Sequence, residues 1–116
     1  MDVLIVDDET EIVRLLVDIL SEEGYRVGVA RDGASAIAHV LHDSPSLVLL
    51  DYSMPGMTGG EVVRQIRARG MVDVPIVIMS AGTRAEALNV PGATAFLPKP
   101  FDLDKLLACV AHYVTT

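Results

Sequence analysis

Five short apolar runs, separated by segments of helical period, constrain this chain more than any other feature. The runs are Val3–Val6, Tyr25–Ala30, Leu47–Leu50, Ile76–Met79 and Thr94–Leu97, and four of the five are continuous rather than alternating. Continuous apolar strands are the kind covered on both faces. Between them, Glu9–Glu22 places Ile12, Leu16, Ile19 and Leu20 along one stripe, and Ala34, Ile37, Ala38 and Leu41 form a second. Val62, Val63 and Ile66 mark a third stripe, and Leu103, Leu106, Leu107 and Val110 a last one.

Helix starts are marked by capping chemistry. Asp8-x-x-Glu11, Thr58-x-x-Glu61 and Thr83-x-x-Glu86 each have the spacing of a capping box, and Asp102 is placed to cap the last helix. Asn89, Pro91 and Gly92 stop the segment after Thr83, which predicts a short fourth helix. Strand–helix units in succession predict a parallel sheet with helices on both faces and right-handed crossovers. With five strands this is an α/β three-layer sandwich, a flavodoxin-like (βα)5 arrangement in the order 2-1-3-4-5.

Composition bounds the rest. The 116 residues suit one domain, residues 1–116, and 51% hydrophobic content is ample for a core. Sixteen acids against nine bases leave a net charge of −7, which argues against direct nucleic-acid binding. Cys109 stands alone, so no internal disulfide or cysteine metal framework is expected, and a small packing role suits it. No apolar run is long enough to span a bilayer, and Met1-Asp2-Val3 lacks the basic start of a signal peptide. The expectation is a cytoplasmic domain with no membrane partner.

In a sheet of this order, ligands bind beyond the carboxyl ends of the strands, beside the switch between the first and third. Asp7-Asp8-Glu9 follow the first strand, Asp51 the third, Ser80-Ala81-Gly82 the fourth, and Lys99, between Pro98 and Pro100, the fifth. Strands one, three, four and five are neighbours, so Asp7, Asp8, Asp51, Ser80 and Lys99 converge. Two carboxylates about 4 Å apart repel by roughly 4 kcal/mol at an effective dielectric near 20. One lysine is too little compensation, and a hard divalent cation such as Mg²⁺ completes it. A cation, an ammonium, a hydroxyl and backbone N–H groups are also what neutralises a transferring phosphoryl group. A carboxylate among them can act as the nucleophile.

The ordered motifs Leu4-Ile5-Val6-Asp7-Asp8-Glu9, Leu49-Leu50-Asp51-x-x-Met54-Pro55-Gly56-Met57-x-Gly59, Met79-Ser80-Ala81 and Gly92-Ala93-x-x-Phe96-Leu97-x-Lys99-Pro100-Phe101 span the chain. Together they resemble the receiver domain of two-component response regulators, of the chemotaxis-regulator kind. The resemblance implies that Asp51 is the phosphoacceptor. It implies that Asp8, Asp51 and the Ser53 carbonyl bind Mg²⁺, with Asp7 acting largely through water, and that Mn²⁺ or Ca²⁺ can substitute. Lys99 would pair with a phosphoryl oxygen, and Ser80 and the Ala81 N–H would hydrogen-bond the phosphoryl group. Phe96 would be an aromatic switch coupled to Ser80, and the Lys99–Pro100 peptide would be cis. The implied partners are a sensor histidine kinase or histidine phosphotransfer protein, and an output domain or partner protein. The implied state is a monomer or a weak phosphorylation-dependent dimer, acting as a switch rather than a turnover enzyme.

Two departures from the family pattern stand out: Thr58 where an acid is usual, and a stretch Gly82–Val90 a few residues short. Three rivals are weaker. A haloacid-dehalogenase-type phosphatase wants a second Asp where Ser53 stands, and a flavodoxin wants a hydroxyl-rich phosphate loop where Asp7-Asp8-Glu9 stand. A receiver-like module that only binds proteins would not need the full set of site residues. His39, His42 and His112 are expected to be solvated, and Arg64, Arg67 and Arg69 to form a small basic face.

Overall fold

A computed structural model describes residues 1–81 and 89–114. The strands are β1 (Val3–Val6), β2 (Val27–Ala30), β3 (Leu47–Asp51), β4 (Ile76–Ala81) and β5 (Ala95–Lys99). The described helices are α1 (Thr10–Glu22), α2 (Gly33–His42), α3 (Gly59–Ala68) and α4 (Leu103–Tyr113). The sheet is parallel throughout, in the order β2-β1-β3-β4-β5. The short helix expected after Thr83, with its Thr83/Glu86 capping box and Gly82, lies outside the described residues.

Side chains alternate across each strand, so one continuous apolar run feeds two cores. Leu4, Val6, Val48, Leu50, Ile76 and Ile78 pack with Ile37, Val40, Val62, Val63 and Ile66 of α2 and α3. Val3, Ile5, Leu47, Leu49, Val77 and Met79 pack with Val13, Leu16, Leu20, Leu106 and Val110 of α1 and α4. Every residue of β1 and β3 is buried, while the edge strands β2 and β5 are largely half-buried. Each buried Leu, Ile or Val contributes roughly 1.5–3 kcal/mol, so the two cores supply the main driving force for the fold. No described helix is long and apolar enough to cross a membrane.

Several local expectations shift. β2 begins at Val27 rather than Tyr25. β5 runs on through Pro98 to Lys99, which an edge strand tolerates because proline's missing N–H faces no neighbour. On α2 the buried residues are Gly33, Ala36, Ile37 and Val40, whereas Ala34, Ala38 and Leu41 are exposed. The alanine-rich pattern supports either phase, and packing of Gly33 under Met57 and Val62 of the neighbouring segment selects one. On α1 Val13 is buried where Ile12 and Ile19 are only partly so, and Leu103 of α4 is half-exposed. Asp8 forms no capping box: Glu9 is the N-cap of α1, without a side-chain cap bond. Thr58 caps α3 through Glu61 N–H, and Asp102 caps α4 through the N–H groups of Asp104 and Lys105.

Candidate phosphoacceptor site

The register of the sheet assembles the site. Val6 lies beside Leu50, so the residues that follow them, Asp7 and Asp51, emerge together at the carboxyl edge. Ala81 lies beside Lys99 and Ser80 beside Pro98, which brings the ends of β4 and β5 to the same place. Asp7 is fully buried and Asp51 is 4% exposed, whereas Asp8 is exposed.

Lys99 sits among the acids. Its Nζ donates to Asp7 Oδ2 at 2.9 Å, lies 3.3 Å from Asp51 Oδ1 and stands 3.9 Å from Glu9 Oε1. Asp7 Oδ1 accepts the Glu9 N–H at 2.9 Å, and Asp51 Oδ1 accepts the Ser53 N–H at 3.4 Å. Burial, reinforced by the Asp7 charge, lifts the Asp51 carboxyl above its ordinary 3.8, against the pull of Lys99 and the Ser53 N–H. Burial pulls the Lys99 ammonium down, but its hydrogen bond to Asp7 and the charges of Asp51 and Asp7 win, leaving it above 10.5. Lys99 therefore faces more carboxylates than one cation can neutralise.

Asp7, Asp8 and Asp51 each offer a carboxylate oxygen within 4.8 Å of one another. Three hard oxygen donors carrying excess negative charge are the donor set that a divalent cation of the Mg²⁺ type requires. The residues present fit such an ion.

Ser80 is buried, and its Oγ lies 3.5 Å from the Ala81 carbonyl, at the outer limit of a hydrogen bond. Phe96 pairs in register with Ile78 and packs half-buried against the α2/α3 core. The Lys99–Pro100 peptide is cis. A cleft of about 190 Å³ opens over Asp51 and Lys99 and is rimmed by Glu9, Ser53 and Ala81.

Two contributions were not legible from spacing. Glu9 approaches Lys99 because the chain turns immediately after Asp7, and its position beside the Asp pair was the only signal. Gly59 donates its N–H to the Tyr52 carbonyl at 2.7 Å, and a Cβ there would stand 2.8 Å from Tyr52 Cα and 3.1 Å from the Asp51 carbonyl. Only glycine lets α3 lie against the backbone that carries Asp51, closing the loop over residues 53–58. Of the three arginines expected to form a basic face, Arg64 and Arg67 make local contacts and Arg69 is exposed. Arg64 pairs with Glu61, and Arg67 donates to the Gly92 and Met71 carbonyls at 2.8–3.0 Å. His42 and His112 are exposed and His39 is half-buried.

Comparison with known proteins fits this geometry. The family model for the response regulator receiver domain matches residues 3–111. The chain belongs to that family. Response regulator MprA of Mycobacterium avium is 40% identical over 112 residues, covering 93% of this chain and 48% of the relative. MprA of Mycobacterium leprae is 41% identical, with the same coverage. The chain thus spans about half the length of these curated relatives. Among solved structures, chemotaxis protein CheY4 of Vibrio cholerae superposes with a TM-score of 0.88 at 31% identity, covering 97% of this chain and 98% of that one. The receiver domain of NtrX from Brucella abortus gives 0.85 at 32% identity, with 97% of each chain covered. This membership sets aside the phosphatase and flavodoxin readings.

Proposed function

We propose that residues 1–116 form a phosphoacceptor receiver domain that takes a phosphoryl group from a phosphohistidine donor onto Asp51. What carries the reading is the Lys99 ammonium, 2.9 Å from Asp7 and 3.3 Å from Asp51, beneath a cleft with surplus carboxylate charge. Asp8, Asp51 and the Ser53 carbonyl would hold Mg²⁺, with Asp7 behind them. When bound, the ion supplies positive charge against the phosphoryl oxygens.

The residues of the chain do the rest. The Asp51 carboxylate, desolvated and repelled by Asp7, is the nucleophile, and attack in line leaves an acyl phosphate. Lys99 moves its charge from Asp51 to a phosphoryl oxygen. The Ser80 hydroxyl, whose contact among the described residues is a long one to the Ala81 carbonyl, turns to donate to another phosphoryl oxygen, together with the Ala81 N–H. Phe96 turns inward as Ser80 moves, and the altered surface is read by a partner. Hydrolysis of the acyl phosphate resets the switch, so the domain is not a turnover enzyme.

The partners follow from this chemistry: a sensor histidine kinase or phosphotransfer protein upstream, and an output domain or partner protein downstream. A cytoplasmic location and a monomer, or a weak dimer formed on phosphorylation, complete the reading. Incubation with Mg²⁺ and acetyl phosphate, followed by intact mass, should give one phosphoryl adduct that disappears in Asp51→Asn. A folded protein that takes no phosphoryl group from any donor would instead be a module that only binds proteins.

A further inference from the structure

Among the described residues that line the cleft over Asp51, three are exposed: Ser53 and Ala81 are neutral and Glu9 is anionic. The Glu9 side chain is 63% exposed, and its Oε1 stands 3.9 Å from Lys99 Nζ. It is a poor structural partner for that lysine, which is already bonded to Asp7 at 2.9 Å. Its carboxylate therefore sets a negative charge at the rim of the cleft that opens over Asp51.

We propose that Glu9 is a specificity residue that selects phosphodonors by charge, disfavouring free dianions against donors that carry compensating positive charge. The proposal rests on the reading of Asp51 as acceptor. In the reaction an Asp51 oxygen forms a bond to phosphorus and the donor's bond to phosphorus breaks. Acetyl phosphate releases acetate, which keeps the electron pair. Phosphoramidate releases its nitrogen as ammonia. At neutral pH acetyl phosphate is a dianion, whereas phosphoramidate carries an ammonium and a net charge of only one. The rim charge should repel the first more strongly. At a separation of about 7 Å in a solvated cleft, each unit of donor charge is worth roughly a threefold change in rate.

The test measures adduct formation by intact mass with both donors, at saturating Mg²⁺, for the wild type, Glu9→Gln and Glu9→Lys. The ratio of the two donors' rates within each protein cancels differences in metal loading. Glu9→Gln should raise the acetyl phosphate rate relative to phosphoramidate by about threefold, and Glu9→Lys by about tenfold. Both gains should shrink in 1 M salt, where the screening length falls to about 3 Å. Equal factors for the two donors, or gains that persist unchanged in 1 M salt, would overturn the proposal while leaving Asp51 as acceptor. Wild-type protein that takes no phosphoryl group from either donor would overturn both readings together.

Discussion

Two acid–base contacts in this molecule use the same chemistry and end in opposite electrostatic states. On the exposed face of α3, Glu61 meets Arg64 through two contacts, Nε to Oε2 at 2.9 Å and Nη2 to Oε1 at 2.5 Å. The Arg64 hydrogen bond, with a second from Gln65, draws the Glu61 carboxyl from 4.5 down to about 2. At the carboxyl edge of the sheet, Lys99 meets Asp7 and Asp51, yet the Asp51 carboxyl is raised. Burial and a second carboxylate reverse the sign. One cation per acid in water makes a settled pair. One cation for several acids, out of water, makes a site that retains appetite for positive charge.

The largest test of that contrast removes the cation in each place. Lys99→Ala should cost about 3 kcal/mol in urea unfolding without divalent ions, because it strands buried carboxylates. Added Mg²⁺ should restore part of the loss. A cost no greater than that of Arg64→Ala would break the comparison.

Supplying charge is the next test. Mg²⁺ at a hundredfold excess over its Kd should stabilise the native state by about 2.7 kcal/mol, seen as a raised Tm at neutral pH. Asp8→Asn should abolish most of this gain, and an undiminished response would remove Asp8 from the metal site.

Removing one acid should do the reverse of removing the lysine. Asp51 has a raised carboxyl in the fold, so its contribution is fully present below 3.8 and is lost as pH rises through the folded value. Asp51→Asn should therefore gain about 1 kcal/mol at pH 7 without divalent ions, within the ordinary range of single-site effects. The gain should vanish toward pH 3, as chemical denaturation at the two pH values would show.

The smallest effect belongs to the exposed pair. Arg64→Ala should leave the Tm unchanged within error, since a solvated surface pair contributes little. It should still move the Glu61 titration, followed by NMR, from about 2 back toward 4.5. The stability linked to Glu61 is present above 4.5 and is lost as pH falls through about 2, so whatever small difference separates the two proteins exists at neutral pH and disappears in acid.

How far the sequence could be read depended on the range of the interactions involved. Strand runs such as Val3–Val6 and Leu47–Leu50 were legible because a strand covered on both faces must be continuously apolar. The caps at Thr58 and Asp102 were legible because an N-cap acts within three residues. The phase of α2 was not, since Ala34, Ala36 and Ala38 suit either face and only Gly33 against Met57 decides. Asp8 looked like a cap, but the bond from the Glu9 N–H to Asp7 turns the chain one residue later.

By itself, then, the sequence determined the alternation of strands and helices, the order of the sheet and the residues that emerge at its carboxyl edge. Those follow from side-chain period and from the few ways parallel strands can be connected. Tertiary structure decided how the residues interact there. It placed Asp7 rather than Asp8 in the core against Lys99 and brought Glu9 to the rim. It also required a bare Cα at Gly59 to hold the Asp51 backbone. Distances between groups far apart in the chain set both burial and electrostatics, and neither is written in local spacing.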